Sequence, residues 1–83
     1  MIQQKQKTHR PIHEIAREIR QDWQKVNYGA KPYLEVMEFL THKDEMYIYD
    51  RADNLIRYFL SNATSWKGET AKRIKAELKE LIK

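Results

Sequence analysis

Residues 12–26 set the narrowest limit on what this chain can fold into. Ile12, Ile15, Ala16, Ile19, Trp23 and Val26 recur at offsets 0, 3, 4, 7, 11 and 14. That spacing places all six side chains on one stripe of an amphipathic helix and does not fit the two-residue alternation of a strand. Pro11 suits the first helical position, where its missing N–H costs nothing. Tyr28-Gly29 supplies the stop, with Gly29 free to take the left-handed conformation that closes helices. The spacing therefore predicts a helix over 12–28. A single amphipathic helix cannot bury its own stripe, so the rest of the chain must supply the facing surfaces.

Three further segments answer that demand. Pro32 opens a second predicted helix, 32–42, in which Tyr33, Val36, Met37 and Leu40 recur at helical spacing while Glu35 and Glu38 turn outward. Leu34 and Phe39 lie off that stripe, so this helix is expected to be buried on more than one side. Asp50 is placed to cap a third helix, 51–62, and Asp53 puts an acid in its first turn, where the helix dipole favours it. Ala52, Leu55, Ile56, Phe59 and Ala63 form its stripe. After the turn and cap residues Asn62-Ala63-Thr64-Ser65, a fourth helix is predicted over 66–81 with Ala71, Ile74, Leu78 and Leu81 inward. Gly68 belongs in its first turn, because within a helix it costs ~1 kcal/mol relative to Ala. Residues 43–49, KDEMYIY, are ambiguous. Met46 to Tyr49 have strand propensity, but no other segment offers a partner and an unpaired strand is not stable. A connector pinning one or two aromatic rings to the core is the expectation. Residues 1–10 are polar and basic and read as a flexible arm. The fold class is all-α: a compact antiparallel bundle of about four short helices, in a single domain over 11–83.

Composition supports this. Eight Ile, six Leu, two Val, two Phe and two Trp are enough for one small core, and only two Gly and two Pro interrupt the helices. The absence of cysteine excludes disulfides and thiolate metal sites. No apolar run approaches the ~20 residues that span a bilayer, and the opening MIQQKQKTHR has no apolar core of a secretory signal. The expectation is a cytoplasmic protein with no membrane partner, in which the sequon Asn62-Ala63-Thr64 carries no weight.

Charge is segregated. Residues 1–26 hold six basic and three acidic side chains, residues 65–83 again six and three, and residues 27–64 four and six, so net charges of +3, +3 and −2 make up the total of +4. Such a field bears on partners and solubility, not on the fold. Within it, Lys72, Lys75 and Lys79 follow an i, i+3, i+7 row, with Lys67, Arg73 and Lys83 nearby. A row of this kind can neutralise phosphates, but Glu69, Glu77 and Glu80 interrupt it, and Glu69–Arg73 and Arg73–Glu77 read equally as surface pairs on an ordinary solvated face. Arg10, His13, Arg17 and Arg20 share a side of the first helix, flanked by Glu14 and Glu18.

Helices three and four across residues 62–65 also suggest a helix-turn-helix, which would present Trp66, Lys67, Glu69, Thr70 and Arg73 to bases. The same stretch, Trp66, Lys67, Gly68, Glu69 and Thr70, concentrates what a protein interface needs: a large ring, unpaired backbone N–H groups at a helix start, and a small residue allowing close approach. The alternative is that Trp66 folds back to cover the end of the core. Trp23, on the first stripe, belongs to the core. Catalysis has little support. His9 and His13 have a metal-sharing i, i+4 spacing without a third ligand, His42 stands alone, and there is no nucleophile–base constellation or glycine-rich phosphate loop. The expectation is a non-enzymatic protein without cofactor or metal.

The phrases IHEIAREIRQDW (12–23), YGAKPYLEVM (28–37) and IRYFLSNATSWKGETAKRIKAEL (56–78) resemble a group of small uncharacterised proteins encoded by phages, plasmids and conjugative elements of Gram-positive bacteria. The resemblance covers most of residues 12–80 and brings no functional residue with it. It implies a context of accessory genes, whose products bind host or element proteins, or nucleic acid, stoichiometrically. Inhibitors of host defence, including anti-CRISPR proteins, are one such class. The leading expectation is a host or element protein as partner, and the alternative is a DNA- or RNA-binding regulator. The oligomeric state is left open.

Overall fold

Four helices and one small hairpin follow in the order α1 (Ile12–Asp22), α2 (Lys31–Met37), β1 (Met46–Tyr47), β2 (Asp50–Arg51), α3 (Ala52–Ser61) and α4 (Glu69–Leu81). The computed structural model describes residues 9–83. The expected arm over 1–10 therefore falls largely outside the described residues. Its last member, Arg10, is no free arm residue: its guanidinium donates to both carboxylate oxygens of Glu77 at 2.8 and 2.7 Å.

The core is the one the periodicities predict. Ile12, Ile15, Ala16 and Ile19 from α1, Leu34 and Met37 from α2, Leu55, Ile56 and Phe59 from α3, and Ala71, Ile74, Leu78 and Leu81 from α4 form a single buried cluster. Leu40, Ala52 and Ala63 belong to it, with Val26 and Tyr33 partly buried against it. Phe39, expected to help bury a second side of α2, is instead 79% exposed.

Helix ends depart from the predicted limits for physical reasons. Helix α1 stops at Asp22, not at residue 28, because Trp23 leaves helical geometry (φ −104°, ψ 82°) and its ring stacks on Trp66. Gly29 does not take the left-handed closing conformation expected of it, since the described residues with positive φ are Ile48 and Gly68. It serves close approach instead: a Cβ there would lie 2.7 Å from Asn62 Oδ1. Asn27 Oδ1 accepts from the Ala30 amide at 2.8 Å, and its Nδ2 donates to the Asn62 carbonyl at 2.8 Å, so one side chain opens α2 and ties it to the end of α3.

Helix α2 ends at Met37 rather than 42 as the chain tightens: the Phe39 and Leu40 amides bond back three residues, to the carbonyls of Val36 and Met37 at 2.9 and 3.2 Å. The amides of Ile12 and His13, two of the donors that a helix start leaves unpaired, bond the carbonyls of Thr41 and Leu40 at 3.0 and 2.8 Å. Helix α3 is begun the same way: Ala52 N–H donates to Glu45 O at 2.7 Å and Asp53 N–H to Lys43 O at 2.9 Å. Asp50 is accordingly not its cap; Arg51 holds that position, in extended geometry. The 40–45 connector thus caps two helices with its backbone.

Residues 43–49 do contain a strand, and its partner is local. Met46 pairs with Arg51 and Tyr47 with Asp50 in an antiparallel ladder closed by Ile48-Tyr49. Gly68 precedes α4 with φ 114° and ψ 177°, a region open only to glycine. It lies outside the helix, as do Trp66 and Lys67.

Candidate functional site

Of the five residues expected to form an interface, one, Trp66, is turned inward. Trp66 is 2% exposed. Its ring stacks on Trp23 with centroids 5.5 Å apart and planes 7° from parallel, and Phe59 meets both rings edge-on at 6.2 and 6.4 Å. The indole N–H donates to Asp22 Oδ2 at 2.8 Å, and the Lys75 ammonium lies 5.8 Å from the ring centroid. Trp66 therefore covers the end of the core, and the buried ring is not a surface anchor. Lys67, Gly68 and Glu69 remain exposed and Thr70 half-buried.

The helix-turn-helix pattern fares no better. Seven residues, 62–68, separate α3 from α4, against the 3–4 of that motif. Of its proposed base readers, Trp66 is buried and Arg73 is committed to Glu18.

The acids and arginines of α1 and α4 form a clamp between the helices, not pairs along one helix. Arg10 bonds both Glu77 and, at 3.0 Å, Glu18; Arg73 bonds Glu18 in turn. Hydrogen bonding from Arg73, then from Arg10, holds the Glu18 carboxyl below the usual carboxylate range, against partial desolvation. The Glu77 carboxylate raises Arg10 further above its ordinary value. Arg20 ties α1 to Glu38 at the end of α2. Asp53 is held low by Arg51. The expected pairing of Arg73 with Glu69 and Glu77 is thus replaced by contacts across the helix interface.

Besides the exposed rings of Tyr28, Phe39 and Tyr58, two surface features remain. One is the lysine row: Lys67 just before α4 and Lys72 and Lys79 on it are exposed, and Lys75 is half-buried. The other was missed in the sequence. Met46, Tyr47, Ile48 and Tyr49 are all exposed, Ile48 by 72% and Tyr49 by 90%. Four consecutive large apolar residues at a hairpin tip is the kind of patch that marks an interaction site. Ile48 sits at φ 58°, where a β-branched side chain is an outlier costing about 1–2 kcal/mol. Asn or Gly would fit that turn without strain, so the apolar side chain is present against the local backbone preference. The available signal was an apolar run with no i+3 or i+4 partner, set among Lys43, Asp44, Glu45 and Asp50.

The charges of this segment are partly paired. Lys43 donates to the Lys83 carbonyl at 2.7 Å and Arg51 bonds Asp53 at 3.2 Å. Asp50, in β2, is exposed, as is Asp44, whose charge acts on Arg51. Separately, a cleft of about 440 Å³ lies between the entry to α1, residues 41–44 and the end of α4, lined by His9, Arg10, His42, Asp44 and Leu81 among others. Among the described residues no three His, Asp or Glu side chains converge as metal ligands would, and no helix is long and apolar enough to cross a membrane.

These features define a small helical domain with an apolar hairpin tip and a basic helix face. Comparison with protein-family models, with curated proteins and with solved structures gives no match for this chain.

Proposed function

We propose that this is a non-enzymatic binding protein that associates stoichiometrically with a host or element protein, anchored by the hairpin tip Met46–Tyr49. The context is the one implied by the resemblance to proteins of phages and mobile elements, in which inhibition of host defence is one outcome of such binding. The observation that supports the reading is the tip itself: four exposed apolar side chains, one held in a strained conformation. Strain of this kind persists where the surrounding structure imposes it and concentrates at ligand clamps. Buried Tyr and apolar anchors supply most of the energy of protein interfaces. The exposed Asp50 beside the tip disfavours a phosphate surface, so the tip fits an apolar cleft on a protein better than a lipid or nucleic-acid surface.

The test is recovery of partners from the native host on the immobilised protein, with nucleic acid digested in a parallel sample. A specific protein should be retained after digestion and lost with Tyr49→Asp and with Ile48→Asn. The second change relieves the left-handed strain, so its loss of binding cannot come from unfolding; its melting temperature should equal or exceed the parent's. Retention of the same protein by both variants, or its disappearance on nuclease treatment, would overturn the reading.

A further inference from the structure

We infer that the exposed face of α4 carrying Lys72, Lys75 and Lys79, with Lys67 just before the helix, binds the phosphate backbone of duplex nucleic acid without reading sequence. This surface is independent of the hairpin and involves none of its residues.

In the sequence the glutamates of α4 interrupt the lysine row; in the fold two of the three are already engaged. Glu77 receives both arms of the Arg10 guanidinium, and Glu80 lies 3.2 Å from the Lys83 ammonium. Arg73, the remaining cation of the segment, is spent on Glu18. Lys72, Lys75 and Lys79 stand on one side of a regular helix, and the seven residues from first to last span about 10 Å at 1.5 Å per residue. Lys75 has no carboxylate partner among the described residues; its ammonium donates to the Trp66 carbonyl at 2.7 Å, against the indole ring. Burial lowers its proton affinity, and the like charges of Lys79 and Lys67 lower it further. The fold thus sets Lys75 among ammonium groups that repel it, with Glu69 exposed at the start of the helix. A polyanion would relieve that repulsion.

Three observations select the kind of polyanion. Every apolar side chain of α4 named in the core, Ala71, Ile74, Leu78 and Leu81, is buried, and among the described residues the exposed large apolar ones lie between residues 28 and 58. The face therefore lacks what a helix needs to insert into a lipid interface. It also lacks an exposed aromatic ring for stacking bases, the usual requirement for single strands. Finally, Trp66 is buried and Arg73 is paired with Glu18, which removes two of the five base readers of a helix-turn-helix and favours contacts to phosphate.

The experiment is fluorescence anisotropy of a labelled 20-base-pair duplex of arbitrary sequence, titrated with the full chain from 50 to 300 mM salt. Binding should weaken with a logarithmic slope of roughly −3 to −4, since each neutralised phosphate contributes about −0.9. Lys67→Ala, Lys72→Ala and Lys79→Ala, all at exposed positions, should each reduce the slope by about 0.9. A duplex of unrelated sequence should bind equally, and Lys43→Ala should change nothing. The proposal is overturned if no binding appears at 50 mM salt, if the three substitutions leave the slope unchanged, or if phosphatidylglycerol vesicles bind while the duplex does not.

Discussion

At the scale of single residues, Trp66 and Ile48 show how far chemistry and location can diverge. Trp66 looks like an interface anchor in sequence, a large ring among polar neighbours at a helix start. In the fold its stacking on Trp23, its edge contact with Phe59 and its bond to Asp22 make it part of the core. Ile48 looks like an ordinary apolar residue and is the one held at the surface at an energetic cost. Trp66→Ala should accordingly destabilise the protein by about 3–5 kcal/mol, the usual range for truncating a buried aromatic ring. Some of that loss comes from the Asp22 carboxylate, which loses its indole donor, and from the Lys75 ammonium, which keeps its bond to the backbone carbonyl but loses the ring. Chemical denaturation followed by circular dichroism measures the change. An unchanged midpoint would mean that the ring contributes nothing to the core and would reopen its role at an interface.

Among the elements, the stripes were legible and the ends were not. A 3.6-residue period reports which face is buried, and nearly every inward residue so identified is in the core. The period contains nothing about backbone groups from distant segments that close a helix. The carbonyls of Leu40 and Thr41 cap α1 by accepting from its first amides, and those of Lys43 and Glu45 start α3. No single-residue signal encodes such exchanges. The hairpin is not legible because the partner strand is the charged pair Asp50-Arg51, which carries no strand signal of its own and follows after two residues. The charged side chains show the same limit: local spacing suggested pairs along α4, and the packing of α1 on α4 produced the Arg73–Glu18–Arg10–Glu77 clamp. That clamp predicts a pH dependence. Glu18 has its folded pKa lowered chiefly by Arg73 and also by Arg10, and Asp53 by Arg51. With folded values below unfolded ones of about 4.3 and 3.9, the unfolded chain binds more protons in acid. The contribution to stability is therefore present above those unfolded values and is lost as pH falls through the folded ones. Melting temperature should be flat from pH 7 to about 5 and decline below. Glu18→Gln should lower it at pH 7 and make the acid decline shallower; an acid decline identical to the parent's would show that the clamp has no part in it.

For the whole molecule, the candidate surfaces depended on which charges and apolar groups the fold had already used, and that is why they were less legible than the core. The lysine row could be counted in the sequence, but its significance changed once Glu77 was seen to belong to Arg10. The same accounting applies to the core: both tryptophans and Phe59 meet in one cluster continuous with the stripes of all four helices. A cluster shared by every helix should make unfolding a single event. A chain of 83 residues at about 0.05–0.15 kcal/mol per residue has a total stability near 4–12 kcal/mol. Phe59→Ala, at a fully buried position, should remove about 3–5 kcal/mol of it, and Ile19→Ala, also fully buried, about 2–5 kcal/mol. Because Trp23 and Trp66 both border Phe59, their fluorescence reports the packing of the core while circular dichroism reports the helices. In urea the two signals should share one midpoint in the parent, and Phe59→Ala should move both together to lower denaturant, by the same amount. Fluorescence lost well before helicity would mean that the aromatic cluster melts apart from the helices, and that the stripes do not converge on one cooperative core.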